Sequence, residues 1–191
     1  MISARWFDGC GIDYTCSPQR GSIGFRIGES PVVRIEQINL DHPLYPQECA
    51  LREQVLLNPI GYDMERFRRE FRGMEEAFVH FVAVVDHPTG PRVIGCALLH
   101  PGYPEPGVGK VMQVAVDPQR QGEGIGRKLI IAVESYGFGR LGLREIFCHA
   151  QLPAVGFYER LGWTAGDGVF LEAGIEHRRL SIRDSDIEPN R

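Results

Sequence analysis

From Lys110 to Tyr136 the chain runs through Val-Met-Gln-Val-Ala-Val-Asp-Pro, then Gln121-Gly122-Glu123-Gly124-Ile125-Gly126, then a mixed apolar and charged stretch. Val111, Val114 and Val116 suit a strand. Pro118 ends it, because proline has no N–H and biases Asp117 away from helix. Ile125, Leu129, Ile130 and Val133 recur at helical spacing, with Arg127, Lys128 and Glu134 off that stripe. Strand, glycine loop and helix in this order set unpaired N–H groups and the positive end of a helix dipole where glycines let a bulky anion approach. That chemistry is phosphate binding, although the same glycines would also serve a tight strand-to-helix turn. Proton-transfer candidates lie downstream: His149, Tyr158, and the pair Glu172 and His177, brought close by a turn.

Two common phosphate loops do not fit. The dinucleotide pattern G-x-G-x-x-G needs glycine where this chain has Arg127, and no Gly-Lys-Ser/Thr follows the glycines. The pattern Gln121-x-x-Gly124-x-Gly126, after Val114-Ala115-Val116-Asp117-Pro118, instead resembles the acetyl-CoA signature of the GNAT acetyltransferases, Gln/Arg-x-x-Gly-x-Gly/Ala. Ala154-Val155-Gly156-Phe157-Tyr158-Glu159-Arg160-Leu161-Gly162-Trp163 resembles that family's second signature, Ala-x-x-Phe-Tyr-x-x-x-Gly-Phe/Tyr. The likeness spans residues 33 to 183. It implies acetyl-CoA held by Val114, Ala115, Val116, Gln121, Gly122, Glu123, Gly124, Ile125, Gly126 and Arg127, with the pyrophosphate on the loop and the pantetheine along Val114–Val116. It also implies Tyr158 as general acid to the departing thiolate. Gln151 stands where many relatives have an asparagine, a departure from the pattern. Leu51-Arg52-x-x-Val55-Leu56 and Gly174-Ile175-x-His177 resemble one branch of the family, which assigns Arg52, Glu172 and His177 to the acceptor side. The implied reaction is acetyl transfer to a primary amine of a small molecule or peptide, by direct attack in a ternary complex. A noncatalytic acyl-CoA-binding sensor is the alternative.

The elements that must position these groups follow from period and breakers. Val33–Ile38 alternates as a first strand. A helix is expected over Gln47–Leu57, stopped by Asn58-Pro59, and another over Met64–Phe71 behind an Asp63 cap. Phe78–Val85 and Arg92–Leu99 read as a hairpin around Asp86–Pro91. Gly137, Gly139 and Gly142 are expected to end the glycine-loop helix. Glu145–Ala150 is then a parallel partner strand reached by a helical crossover. A helix from Pro153 to Leu161 and strands at Trp163–Ala165, Val169–Glu172 and His177–Ile182 complete an α/β fold. The resemblance makes it a GNAT fold, a mixed central sheet of six to seven strands flanked by helices. Residues 1–30 read as a partly ordered extension with a short strand at Ser22–Ile27, residues 31–183 as the acetyltransferase domain, and 184–191 as a polar tail.

Across 191 residues, 43% are hydrophobic and 24% charged, ordinary values for one globular domain with a sizeable core. A net charge of −4 gives no basic footprint for nucleic acid. The longest apolar run, near Phe78–Val85, is broken by His80 and too short to span a bilayer. Five scattered cysteines form no C-x-x-C pair, so neither a metal nor a disulfide framework is expected, and a cytoplasmic setting is. The partners expected are acetyl-CoA and an amine, with no nucleic acid and no membrane. Homodimerisation stays open.

Overall fold

The computed structural model describes residues 32–186. The strand expected at Ser22–Ile27 and the end of the tail lie outside the described residues. Seven strands form one sheet: β1 (Arg34–Ile38), β2 (Val79–Val85), β3 (Arg92–Pro101), β4 (Val108–Val116), β5 (Glu145–Gln151), β6 (Thr164–Glu172) and β7 (Ile175–Arg183). Their order is β1-β2-β3-β4-β5-β7-β6. Every pairing is antiparallel except β4 with β5, which is parallel and bridged by helix α4 (Ile125–Gly139). A parallel pair needs such a crossover, whereas the β2–β3 and β6–β7 pairs close through short turns.

Helices cover both faces. On β2, His80 bonds Glu48 of α1 (Tyr45–Arg52), while the next residue, Phe81, packs edge-on against Tyr136 of α4. Neighbouring strand residues point to opposite faces, so α1 and α4 lie on opposite sides of the sheet. The short helices α2 (Met64–Glu70) and α3 (Met74–Ala77) follow α1, and α5 (Val155–Glu159) follows β5. Asp63 caps α2 by accepting from the Arg66 N–H at 2.6 Å.

Three expectations are corrected. The helix expected over Gln47–Leu57 is an α-helix only to Arg52. It then widens into a π-helical turn, Glu53–Leu57, and tightens into a 3-10 turn, Asn58–Ile60, as Leu56 and Leu57 both enter the core. The two separate strands expected within Trp163–Glu172 are one strand, β6, whose register against β7 shifts between Ala165 and Val169. Gly137 does not end α4. It lies inside the helix, where a Cβ would stand 2.6 Å from Ile146 Cδ1 of β5, so the residue serves close approach of helix to sheet.

Gly137→Val is therefore expected to lower stability. Overpacking a tight core costs about 1–3 kcal/mol, partly offset by about 0.5 kcal/mol of better helix propensity. Thermal unfolding measures it, and an unchanged Tm would show that this contact has slack.

Candidate active site

The parallel β4–β5 ladder is short. Its partners run from Val108↔Glu145 to Val111↔Cys148 and stop there, although β4 continues to Val116 and β5 to Gln151. Beyond that pair the strands separate into a wedge. Against β3, the register of β4 also shifts between Cys96↔Ala115 and Leu98↔Met112, so an extra residue sits opposite Ala97. Gln113 carries the distortion with φ +48°, a left-handed conformation that is costly away from glycine. Such a bulge bends its strand and locally disrupts the ladder, here at Gln113 and Val114.

The bulge is held from the α1 face. Arg52 is wholly buried and donates from Nε to Gln113 Oε1 at 2.6 Å and from its two terminal nitrogens to Glu75 at 2.6 and 2.9 Å. Glu48, one turn before Arg52, lies 3.6 Å from it and also bonds His80 Nδ1 at 2.9 Å. Tyr45 donates its hydroxyl proton to Glu75 at 2.5 Å. Burial opposes ionisation of Glu75, but the Arg52 hydrogen bonds outweigh it and hold the carboxyl below its usual range. Burial likewise works against charge on His80, and Glu48 more than offsets it, so the imidazole is pushed up. Gln113 Nε2 is buried without a partner among the described residues.

On the other face the wedge meets Tyr158. Its ring packs against Phe157 and Trp163, at 5.0 and 5.2 Å between centroids, and its hydroxyl bonds the thiol of Cys148, the last β5 residue paired with β4. Burial raises the phenol well above its ordinary value, so it stays protonated. Burial also pushes the Cys148 thiol up to about 12, which leaves no thiolate for a covalent acyl-enzyme route.

The mouth of the wedge is the glycine loop. Gly122 and Gly124 have φ of +83° and +76°, and a Cβ at either would meet nothing within 4 Å. Gly124 is the N-cap of α4, and no side chain caps the helix, so its first-turn N–H groups are left for a ligand. A cavity of about 300 Å³ opens there, lined among others by Val116, Gln121, Gly126 and Phe157, with Arg120, Arg127 and Arg160 around it. Open glycine backbone, an uncapped helix start and three guanidinium groups fit a pyrophosphate. Arg120 and Arg160 escaped sequence reasoning; Arg120 is ion-paired with Glu123 at 2.7 Å, and only the fold brings α5 to this loop.

Comparison with known proteins agrees with this fold. Residues 48–163 match the Acetyltransferase (GNAT) family. The chain belongs to that family. It is 37% identical over 93 residues to a mycothiol acetyltransferase of Pseudarthrobacter chlorophenolicus, covering 46% of this chain and 28% of that protein. It is 35% identical over 92 residues to an amino-acid acetyltransferase of Ralstonia nicotianae, covering 48% of this chain and 19% of that protein. The chain thus matches well under half the length of these curated relatives. Among solved structures, spermidine N-acetyltransferase from Vibrio cholerae, in complex with CoA and spermine, superposes with a TM-score of 0.60 at 20% identity, covering 81% of this chain and 96% of that one. An IAA acetyltransferase from Bacillus cereus superposes at 0.56 with 20% identity, covering 80% and 99%. At these identities the likeness is one of fold: a GNAT fold, with a seven-stranded mixed sheet between helices.

The remaining GNAT site expectations fall into two groups. Glu172, on β6, comes to His149 on the α1 face of the sheet, with Nδ1 2.8 Å from its carboxylate. His177 is enclosed, donates from Nδ1 to the Ile175 carbonyl at 2.8 Å, and stacks on Phe170 at 6.2 Å. Arg52 is enclosed as well; its guanidinium serves Glu75 and the β4 bulge and does not line an open surface. No helix among the described residues is long and apolar enough to cross a membrane.

Two predictions follow from this geometry. Arg52→Ala would leave Glu75 buried without its cation and Glu48 with His80 alone, and is expected to cost about 3–5 kcal/mol of stability, read by denaturant unfolding. Because Glu75 titrates below its ordinary value when folded, its contribution is present above the ordinary carboxylate range and lost as pH falls through the lower, folded value. An Arg52→Ala protein as stable as wild type at neutral pH would show that the network is not needed. Gly124→Val would add a branched side chain into the open mouth at a left-handed position, and is expected to weaken acetyl-CoA binding by about tenfold or more. Calorimetry on a variant confirmed as folded decides this; unchanged affinity would remove the loop from the site.

Proposed function

We propose that this chain is an acetyl-CoA-dependent N-acetyltransferase that transfers the acetyl group to a primary amine by direct attack in a ternary complex. The observation that carries the reading is the wedge itself. Strands β4 and β5 part after Val111 and Cys148, the gap opens onto the glycine loop, and Tyr158 meets its apex. Acetyl-CoA supplies the activated acyl group and a thiolate leaving group.

The chain's residues divide the remaining work. The N–H groups of Gly122 to Arg127, with Arg120 and Arg160 beside them, bind the pyrophosphate. The unpaired edge of β4 over Val114–Val116 aligns the pantetheine, since backbone without a ladder partner is ready to pair with an amide. N–H groups at the bulge, around Val114 and Ala115, stabilise negative charge developing on the carbonyl oxygen. Tyr158 gives its proton to the departing sulfur, a task that suits a phenol kept neutral by burial. Arg52 acts at one remove, by holding the bulge through Gln113. The acceptor comes from the α1 face, opposite Tyr158. The similarity to proteins named for mycothiol, amino-acid and spermidine acetylation supports an amine acceptor without choosing one.

Release of free CoA with a panel of polyamines, amino acids and peptides tests the reading. Acetyl-CoA binding without turnover across the panel would favour an acyl-CoA sensor. Tyr158→Phe keeps the ring against Trp163 and removes only the hydroxyl. Acetyl-CoA Kd is expected to hold while kcat falls by about 10²–10⁴-fold, the usual range for general acid–base assistance. A kcat within about twofold of wild type, with chemistry rate-limiting, would assign the proton to another donor.

A further inference from the structure

On the face of the wedge away from Tyr158 lies a second group of titratable side chains. His149 Nδ1 stands 2.8 Å from Glu172 Oε2 and 3.3 Å from Lys110 Nζ. Phe170 packs edge-on against the imidazole at 4.8 Å, and Phe147 lies tilted at 5.7 Å. Other charged or titratable groups lie beside this cluster, Tyr103 among them, its ring centroid 5.7 Å from Lys110 Nζ. On β7, Arg179 pairs across the strands with His149, its guanidinium lying over Phe147 and bonded to Glu145, and His177 lies behind Phe170. On β3, His100 lies beyond Lys110.

Position and exposure single out one member. His149 is the first β5 residue past the last β4–β5 pair. Its neighbour Cys148 faces Tyr158, and strand alternation turns His149 to the opposite face. Its side chain is 23% exposed, against 11% for Glu172, while Lys110 and His177 are only 3% and 1% exposed as residues. The lip of the wedge on the acceptor side is thus an imidazole backed by a carboxylate. A carboxylate accepting from Nδ1–H fixes the tautomer in which Nε2 carries the basic lone pair. Burial opposes charge on Glu172, but the His149 hydrogen bond and the Lys110 charge outweigh it, so the carboxylate is available for that task.

We propose that His149 is the general base that deprotonates the acceptor's ammonium group, and that Glu172 is the positioning residue that holds its tautomer. This rests on the N-acetyltransferase reading above. The imidazole takes one proton from the ammonium and passes it to solvent. The neutral nitrogen then forms the N–C bond as the C–S bond breaks. The second proton, lost from nitrogen as the amide forms, balances the one Tyr158 gives to sulfur. The sum is acetyl-CoA plus ammonium going to amide, CoA thiol and one released proton.

Two small amines separate this role from a structural one. Ethylamine is protonated at neutral pH and needs a base; hydroxylamine is largely neutral there and does not. His149→Gln is expected to lower acetyl transfer to ethylamine by about 10²–10⁴-fold and to abolish the acid limb of its pH profile, while transfer to hydroxylamine drops by about threefold at most. Equal losses with both amines, or no loss, would overturn the assignment. Nitrogen NMR of the ligand-free protein reads the pair without turnover. The neutral His149 ring should be the Nδ1–H tautomer in wild type and lose that preference in Glu172→Leu; a wild-type Nε2–H tautomer would overturn the proposal. If His149→Gln fails to fold, Glu172→Leu decides by itself: ethylamine transfer should fall with the acid limb displaced, and an unchanged profile would overturn the pairing. Wild type that transfers acetyl to neither amine and to none of the wider panel would fail the N-acetyltransferase reading, and the base assignment with it. Wild-type turnover with an undiminished His149→Gln would remove the base assignment alone.

Discussion

The structure depends on two parallel strands that stop pairing. Past Val111 and Cys148 the edges of β4 and β5 carry N–H and C=O groups with no partner in the ladder between them. Buried backbone left in that state is costly, so the wedge persists only because other interactions hold it open and a ligand can satisfy it. The glycine loop repeats the theme at the mouth, where an uncapped helix start faces a cavity. Polar groups withheld from self-satisfaction are what suit this region to binding a ligand.

Holding the strands apart takes support on both faces. On the α1 face a buried guanidinium reaches the bulge residue Gln113 and is balanced by Glu75 and Glu48. Replacing such a network by apolar side chains could match its stability, because desolvation consumes much of the attraction. Apolar contacts could not fix the Gln113 amide in one orientation, and the Arg52 hydrogen bond to Oε1 at 2.6 Å does. On the α4 face the support is aromatic: Tyr158 on Trp163, and Trp163 donating to buried Glu134 of α4 at 2.6 Å. The segment that carries Tyr158 is thereby tied to the helix that follows the glycine loop.

The division between the faces also orders the chemistry. Adjacent residues Cys148 and His149 point to opposite sides of the sheet, so the proposed proton donor to sulfur and the proposed proton acceptor from nitrogen lie across one strand from each other without meeting. Burial keeps Tyr158 neutral and keeps the thiol of Cys148 from ionising.

Much of this was legible in the residues. The glycine loop, the strand before it and the helix after it follow from Pro118, from Gly122, Gly124 and Gly126, and from the period of Ile125, Leu129, Ile130 and Val133, all local signals within one stretch of chain. The strand order on either side of β4 was legible as a class, since a helical crossover demands a parallel neighbour. Gly137 was misread because a glycine near a helix end looks the same whether it caps the helix or admits a strand. Only the packed structure shows Ile146 against it. Glu75 and His80 look like ordinary polar residues in sequence, Arg52 is assigned there to the acceptor side and not to the bulge it holds, and His149 and Glu172 are twenty-three residues apart. Their partnerships depend on which strand edges meet and which faces they turn, and that is settled by long-range pairing and burial. The sequence by itself determined the glycine loop and the strand and helix around it, because those arise from neighbours in the chain. The tertiary structure decided which titratable groups face the wedge, because that depends on the register between strands distant in sequence.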